Sequence, residues 1–291
     1  PDNNFRAVNC YGDYLENSNN CYFSVFLYDA EKVNYSLGLV NHRDSYDVIG
    51  GGGGELCYEL VSVSTYDNYN VRFSSQLNNC RDVEYSDLCR NCNYCFGCIG
   101  LNNKSFCIFN AQFSEKDYWE TVDKIKTSML QKSEYGEFFP PNLTTVPYKT
   151  SFATAYTGFD DYENAERFGY DMQEVSEGKE ENIKDVINSE DLPADIKEVE
   201  DDILEKAIFD SKHGRYFKIT TYELSFYRRH NIALPREHPI MRIYELRKDY
   251  PVRLQFFKRN CGKCRVEIDS TRSAEIYKNV LCERCYNKEI V

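Results

Sequence analysis

A repeat of twelve residues constrains this chain more than any other feature. Val71, Val83, Cys95 and Cys107 fall twelve apart, as do Phe73, Tyr85, Gly97 and Phe109. Ser74, Ser86, Cys98 and Asn110 form a third line, and Asn79, Asn91 and Asn103 a fourth. Upstream, Cys21 and Val33, Phe23 and Tyr35, Ser24 and Ser36, and Leu27 and Leu39 keep the same spacing. The phase slips between about Asp44 and Asn70, where the run Gly50 to Gly54 interrupts the chain. A short fixed period means stacked, near-identical rungs. Val, Tyr, Phe, Ser and Asn are poor helix formers, and the Val-x-Phe/Tyr alternation suits a short strand. Asn and Ser are expected where the chain turns. The predicted fold is mainly β: a parallel β-solenoid over about residues 10–113. A rung is either 12 residues or 24 as two half-rungs.

A solenoid end must be covered. Ser114-Glu115-Lys116-Asp117 resembles a capping box, and Tyr118, Val122, Ile125 and Met129 follow at helical spacing. This predicts a capping helix and a Pro-containing linker over 114–150, marked by Pro140, Pro141 and Pro147. An acidic helical segment is expected over 151–205, with Ile196, Val199, Ile203 and Ala207 at helical spacing after Pro193. Residues 206–291 are expected to form a basic α+β zinc-ribbon module. It should start with a hairpin turning at His213-Gly214, followed by a helix near Tyr222 to His230.

Charge divides the chain in the same way. Residues 1–159 carry a net of −7, residues 160–205 a net of −14, and residues 206–291 a net of +9. The overall −12 therefore hides a basic C-terminal third. Arg228, Arg229, Arg242, Arg247, Lys248, Arg253, Lys258 and Arg259 lie among Tyr and Phe in that third. They are the candidate nucleic-acid contacts.

The C-terminal cysteines carry the clearest chemistry. Cys261, Cys264, Cys282 and Cys285 read C-x2-C-x17-C-x2-C, which fits a zinc template. Two knuckles of two thiolates each make a tetrahedron with no open position, so one structural Zn2+ is expected. Gly262 is expected to ease the first turn, and Lys263, Arg265 and Arg284 to offset the site's negative charge. A second run, Cys89, Cys92, Cys95 and Cys98, allows two readings. Its spacing suits a metal or iron–sulfur site. Yet Cys95 aligns with Val71 and Val83, and Cys89 with Leu77 and Leu101, which points to inward packing of cysteine as a small hydrophobe.

Other features are weaker. The Gly50 to Gly54 run lacks the Lys-Ser/Thr of a phosphate loop and is read as a bulge between rungs. Tyrosines such as Tyr22, Tyr28, Tyr35 and Tyr46 are expected to stack on one another along the rungs, although an exposed set could stack bases or sugars. His42, His213, His230 and His238 form no recognisable catalytic pattern, and no catalytic residue is assigned. The N-terminus, Pro1-Asp2-Asn3-Asn4, has no basic or apolar leader and no methionine. This suggests a processed or incomplete N-terminus without a signal peptide. Thirteen cysteines with no secretory signal point to a reducing, cytoplasmic setting.

Four stretches carry a resemblance: Asn20-Cys21-Tyr22, the run from Cys95 to Asn110, the run from Phe226 to Arg236, and the run from Leu281 to Tyr286. On these, residues from about 17 to 291 resemble an uncharacterised family of cysteine-rich proteins of candidate-phyla bacteria. That family has a twelve-residue-repeat core and terminal zinc ribbons. The resemblance implies further ribbons before the repeats in relatives, and cysteines near the positions of Asp210 and His238, where this chain has lost them. It implies no established activity. Three functions follow from these readings. The first is a non-enzymatic protein contacting RNA, DNA or the ribosome through the basic module. The second is a protein-interaction or assembly scaffold on the solenoid. The third is a metal-cluster enzyme at the 89–98 cysteines.

Overall fold

The structure is a computed structural model that describes residues 3–61, 66–144, 146–151, 162–173, 185–247 and 256–290. It divides into two compact units, Pro1–Thr144 with Val252–Val291, and Thr145–Pro251. The sequence-based grouping of 206–291 thus falls across both units.

The first unit is built on a parallel solenoid of about eight turns over residues 11–108. Its strands are β1 (Tyr11–Glu16), β2 (Tyr22–Tyr28), β3 (Glu31–Asn34), β4 (Leu37–Ile49), β5 (Gly52–Glu55), β6 (Tyr58–Val61), β7 (Tyr66–Ser75), β8 (Arg81–Glu84), β9 (Asn93–Phe96) and β10 (Ser105–Ile108). Register gives the rung length as twelve. Leu27 pairs with Leu39, Val33 with Ser45 and Val48 with Leu60. Val71 pairs with Val83, Val83 with Cys95 and Cys95 with Cys107.

Within each rung the structural unit is three residues. Every third residue points inward and is buried: Leu15, Ser18, Cys21, Ser24, Leu27, Ala30, Val33 and Ser36 begin the series. Two residues after each inward position the backbone adopts positive φ, as at Asn17, Asn20, Phe23, Phe26, Asp29, Lys32 and Tyr35. Asn and Asp tolerate that conformation, whereas Phe, Tyr and Lys adopt it at a cost of about 1–2 kcal/mol each. Hydrogen bonds between rungs hold them there: the amide of Tyr85 donates to the Arg72 carbonyl at 3.2 Å, and that of Phe109 to the Phe96 carbonyl at 3.1 Å.

Asn sits at these turns as the sequence suggests, but Ser does not. Ser24, Ser36, Ser45, Ser74 and Ser86 face inward. Their hydroxyls accept an amide from the next rung, Ser36 N to Ser24 Oγ at 3.2 Å and Cys98 N to Ser86 Oγ at 3.0 Å. A small hydroxyl thereby satisfies a backbone group inside an otherwise apolar tube.

The glycine run is also different from the expected bulge. It stays in phase as β5, with Val40 opposite Gly52 and His42 opposite Gly54. The reason is space. A Cβ on Gly54 would lie 2.3 Å from His42 Cε1, so the glycine makes room for a buried imidazole. The slip comes one rung later, where Gly52 pairs with Tyr66 and Leu60 with Ser74, fourteen residues apart.

The C-terminal end of the tube is finished by β11 (Ala111–Gln112), antiparallel to β10, and by α1 (Glu115–Gln131). Ser114 caps α1 by accepting the Asp117 amide. Tyr118 and Val122 of α1 pack on Phe96 and Ile108.

In the second unit, β12 (Val186–Asn188) lies parallel to β13 (Ala207–Asp210), which pairs antiparallel with β14 (Arg215–Phe217). The short α2 (Tyr162–Arg167) precedes this sheet. Two helices follow it, α3 (Thr221–His230), closed by a Thr220–Glu223 capping box, and α4 (Pro239–Arg247). Ile196, Val199 and Ile203 are buried as their spacing suggests. Ile196 and Ile203 sit on tight 3-10 turns, Ile196–Glu198 and Asp201–Leu204, Val199 lies extended between them and Ala207 opens β13, so the four do not share one α-helix. The Asp195 carboxylate takes the Lys197 amide, and Val199 and Glu200 are extended, which divides the segment into separate turns. Among the described residues no helix is long and apolar enough to cross a membrane.

Candidate metal centre

The four C-terminal cysteines meet on a hairpin and a helix. The hairpin pairs β15 (Phe257–Asn260) with β16 (Glu267–Ser270), and Cys261 begins its turn. The Cys261 amide donates to the Val266 carbonyl at 2.8 Å, and the turn closes with Arg265 at positive φ. The sequence assigns the easing of this turn to Gly262, but that residue keeps negative φ and Arg265 makes the adjustment. The second knuckle opens α5 (Glu283–Ile290), with the Cys285 and Tyr286 amides donating to the Cys282 carbonyl.

One ligand atom from each of Cys261, Cys264, Cys282 and Cys285 lies within 4.8 Å of the others. Cys264 Sγ and Cys282 Sγ are 3.6 Å apart. A tetrahedron with metal–sulfur bonds of about 2.3 Å has edges of about 3.8 Å, so this spacing suits a bound ion. Amides of Cys282, Cys264 and Lys263 point at Cys261 Sγ and hold that thiol down to about 5. Hydrogen bonds within the same cluster push Cys285 the other way, up to about 12, so the four sulfurs give up their protons unequally and metal binding must displace those that remain. Cys261 and Cys285 are buried and Cys264 is exposed, so one edge of the cluster faces solvent. The four cysteines can therefore hold a metal ion. Lys263, expected to offset the site's charge, pairs with Glu289 at 2.8 Å.

The module packs on the first rungs of the solenoid. Phe256 stacks on Tyr11 with centroids 5.1 Å apart and meets Phe23 edge-on at 5.8 Å. Thr271 donates to the buried Asp13 carboxylate, and Arg272 donates to the Tyr14 hydroxyl. Nothing in the local sequence around Phe256 or Arg272 announces these contacts.

Cys89, Cys92, Cys95 and Cys98 are all fully buried and occupy four consecutive inward positions of one rung. Their spacing of three is the triplet period of the solenoid. Each thiol donates to nearby carbonyls, Cys92 Sγ to Arg90 O at 3.1 Å and Cys89 Sγ to Asp87 O at 3.4 Å. Burial pushes Cys89 up to about 12 and Cys80 up to about 11. The Cys95 thiol donates to Cys98, which together with burial keeps its proton on. The same bond lowers Cys98, and it is the full burial of all four side chains at inward positions of the rung that makes them pack as small hydrophobes. Among the described residues the C-terminal group alone brings three or more metal-type ligand atoms together.

The candidate nucleic-acid contacts fall in both units. Arg228 is tied to the Asp201 carboxylate at 2.6 Å and to the Val199 carbonyl at 2.8 Å. Arg259 donates to the carbonyls of Arg272 and Tyr277, inside the four-cysteine module. Lys258 is exposed beside Glu267, Arg229 is exposed, and Arg242 is half-buried. Lys248 and Arg253, and the side chain of Arg247, lie outside the described residues.

The sequence reading took Asp210 only as the place of a cysteine in relatives and assigned it no role of its own. It is buried and accepts the His213 and His238 amides at 3.2 and 2.9 Å, with His213 Nδ1 at 2.8 Å. Its place at the end of the hairpin, three residues before a histidine, was the available signal. Compared with protein families and with curated proteins, the chain shows no match to either.

Proposed function

We propose that this chain is a non-enzymatic binding scaffold, in which the solenoid presents the partner surface and one structural zinc ion folds the four-cysteine module onto its first rungs. The observation that carries the reading is the docking of that module on Tyr11, Asp13, Tyr14 and Phe23. A module clamped by metal would hold the first rungs in place while the remaining rungs present their surface to a partner. Four cysteine donors in a closed tetrahedral set favour zinc and leave no position for substrate. The reading is also in keeping with the resemblance to the cysteine-rich candidate-phyla family.

The test is native purification of the full chain with and without nuclease, followed by light scattering on the eluted complex. A stoichiometric protein partner that survives nuclease is the expected result. Loss of every partner after nuclease would contradict it.

A second reading, contact with RNA, DNA or the ribosome, is favoured by Arg229, which is exposed and has no ion-pair partner among the described residues, and by the net +9 of residues 206–291. The reading predicts affinity that falls steeply with salt, and salt-independent binding would contradict it.

A further inference from the structure

One side of the solenoid carries two adjacent columns of side chains. The first runs Asn34, Tyr46, Tyr58, Arg72, Glu84 and Phe96, each opposite the next in register. The second consists of the residues that immediately follow, among them Tyr35, Asp47, Glu59, Phe73 and Tyr85. Near the C-terminal end this side is already occupied by the chain itself. Lys126 of α1 reaches Glu84 at 2.6 Å and lies 6.0 Å from the Phe96 ring centre. The Tyr135 hydroxyl donates to Glu84 at 3.0 Å, its ring packs on Phe73 and Tyr85, and the Gly136 amide donates to the Tyr85 hydroxyl. A basic and aromatic segment is thus what the side holds where it is covered.

The same two columns continue toward the N-terminus, where their tyrosines are exposed and the covering segment ends with Glu137 beside Glu59. Tyr35 is 51% exposed, Tyr46 40% and Tyr58 38%. Asp47 and Glu59 sit between them on adjacent rungs, about 4.8 Å apart along the stack. Among the described residues neither carboxylate has a basic partner, and Glu137 adds a third negative charge beside Glu59. Burial and this mutual repulsion push Glu59 above the usual carboxylate range, and burial does the same to Asp47. The strip is bounded at its other end by Phe256 on Tyr11 and Phe23.

We infer that Tyr35, Tyr46, Asp47, Tyr58 and Glu59 form a docking strip for a partner protein segment in which lysine or arginine alternates with aromatic residues. The charge is complementary, and the strip is continuous with the surface that takes Lys126 and Tyr135 in the same manner. Cations would settle between the carboxylates and over the tyrosine faces, as Lys126 does at Glu84 and Phe96. The inference rests on the scaffold reading and names the chemistry of its partner.

The experiment uses the full chain and a labelled peptide of alternating lysine and phenylalanine, read by fluorescence anisotropy. Its counterpart alternates glutamate and phenylalanine. The test variant is Asp47→Lys with Glu59→Lys, and the control is Asp29→Lys with Glu31→Lys, exposed carboxylates elsewhere on the rungs. Lys32 already occupies the same positive-φ conformation as Asp47 and Glu59, so the variants can keep the fold, which far-UV circular dichroism checks. The basic peptide should bind, the acidic one should not, and the test variant should weaken binding about tenfold or more while the control changes it less than about twofold. Equal binding by test variant and control would overturn the proposal. So would concentration-dependent dimerisation of the parent chain that the test variant abolishes, because a second copy would then be the occupant. If a nuclease-resistant partner persists with the test variant, this strip is wrong and the scaffold reading stands.

Discussion

Arg272 donates through Nη2 to the Tyr14 hydroxyl at 2.6 Å, joining the four-cysteine module to a rung 258 residues earlier in the chain. Its other Nη donates to the Tyr277 hydroxyl at 2.9 Å, so one guanidinium spans the module and the solenoid. The first rungs and the module should therefore gain and lose protection together. Arg272→Ala is expected to raise hydrogen exchange in residues 11–16 and 257–270 and leave residues 81–108 unchanged. Removing metal with a chelator should do the same more strongly. Exchange confined to 257–290 after chelation would show that the module makes no contribution to the rungs.

His42 predicts an acid-sensitive solenoid. His42 is 2% exposed, its Nδ1 has no partner among the described residues, and burial lowers it from 6.5 to about 4. The folded state keeps it neutral while the unfolded state protonates. Stability from this group is complete above about pH 6.5 and is lost as pH falls toward 4, amounting to about 3 kcal/mol at 1.36 kcal/mol per unit. Urea unfolding at pH 7 and pH 4.5 measures it, and His42→Leu should flatten the difference.

Gly54 and His42 share one space, and a double-mutant cycle reads that directly. Gly54→Ala places a Cβ 2.3 Å from the ring and should cost about 1–3 kcal/mol through overpacking. In a His42→Ala background the same change should cost much less. Additive effects would mean that the ring does not fill the slot.

Cys95 occupies the column of Val71 and Val83, so Cys95→Val should be tolerated within about 1.5 kcal/mol by chemical denaturation. Cys95→Asp, which buries a charge with no partner, should prevent folding. Loss of bound metal in Cys95→Val would contradict the packing account.

Asp210 organises the second unit. Burial alone would raise it, but the His238 amide and the His213 ring and amide outweigh this and hold it below the usual carboxylate value. Its stabilising bonds are present above about pH 4 and lost as pH falls through the lowered folded value. Asp210→Ala leaves the His213 and His238 amides without their acceptor and should cost about 3 kcal/mol in thermal or urea unfolding. An unchanged midpoint would remove Asp210 from that role.

The twelve-residue period was legible because identical columns such as Val71–Val83–Cys95 must stack to pair. The shorter triplet was present too, in Cys89, Cys92, Cys95 and Cys98, but that spacing also matches metal ligands. The alignment of Cys95 with Val71 and Val83 already pointed to packing, and the full burial of all four side chains agrees with it. Gly50 to Gly54 read as an interruption because glycine carries no side chain to show its phase, and its partners His42 and Tyr66 lie on other rungs. The four metal-type cysteines were legible because ligand spacing is local. Their seat on Tyr11 and Tyr14 was not, since it depends on contacts between distant parts of the chain.

Native mass spectrometry of the full chain tests the central claim most directly. One zinc ion per chain, lost when Cys261→Ser and Cys282→Ser are combined and kept when Cys89→Val and Cys95→Val are combined, is the predicted result. A metal-free parent chain, or a metal that follows the 89–98 cysteines, would contradict it.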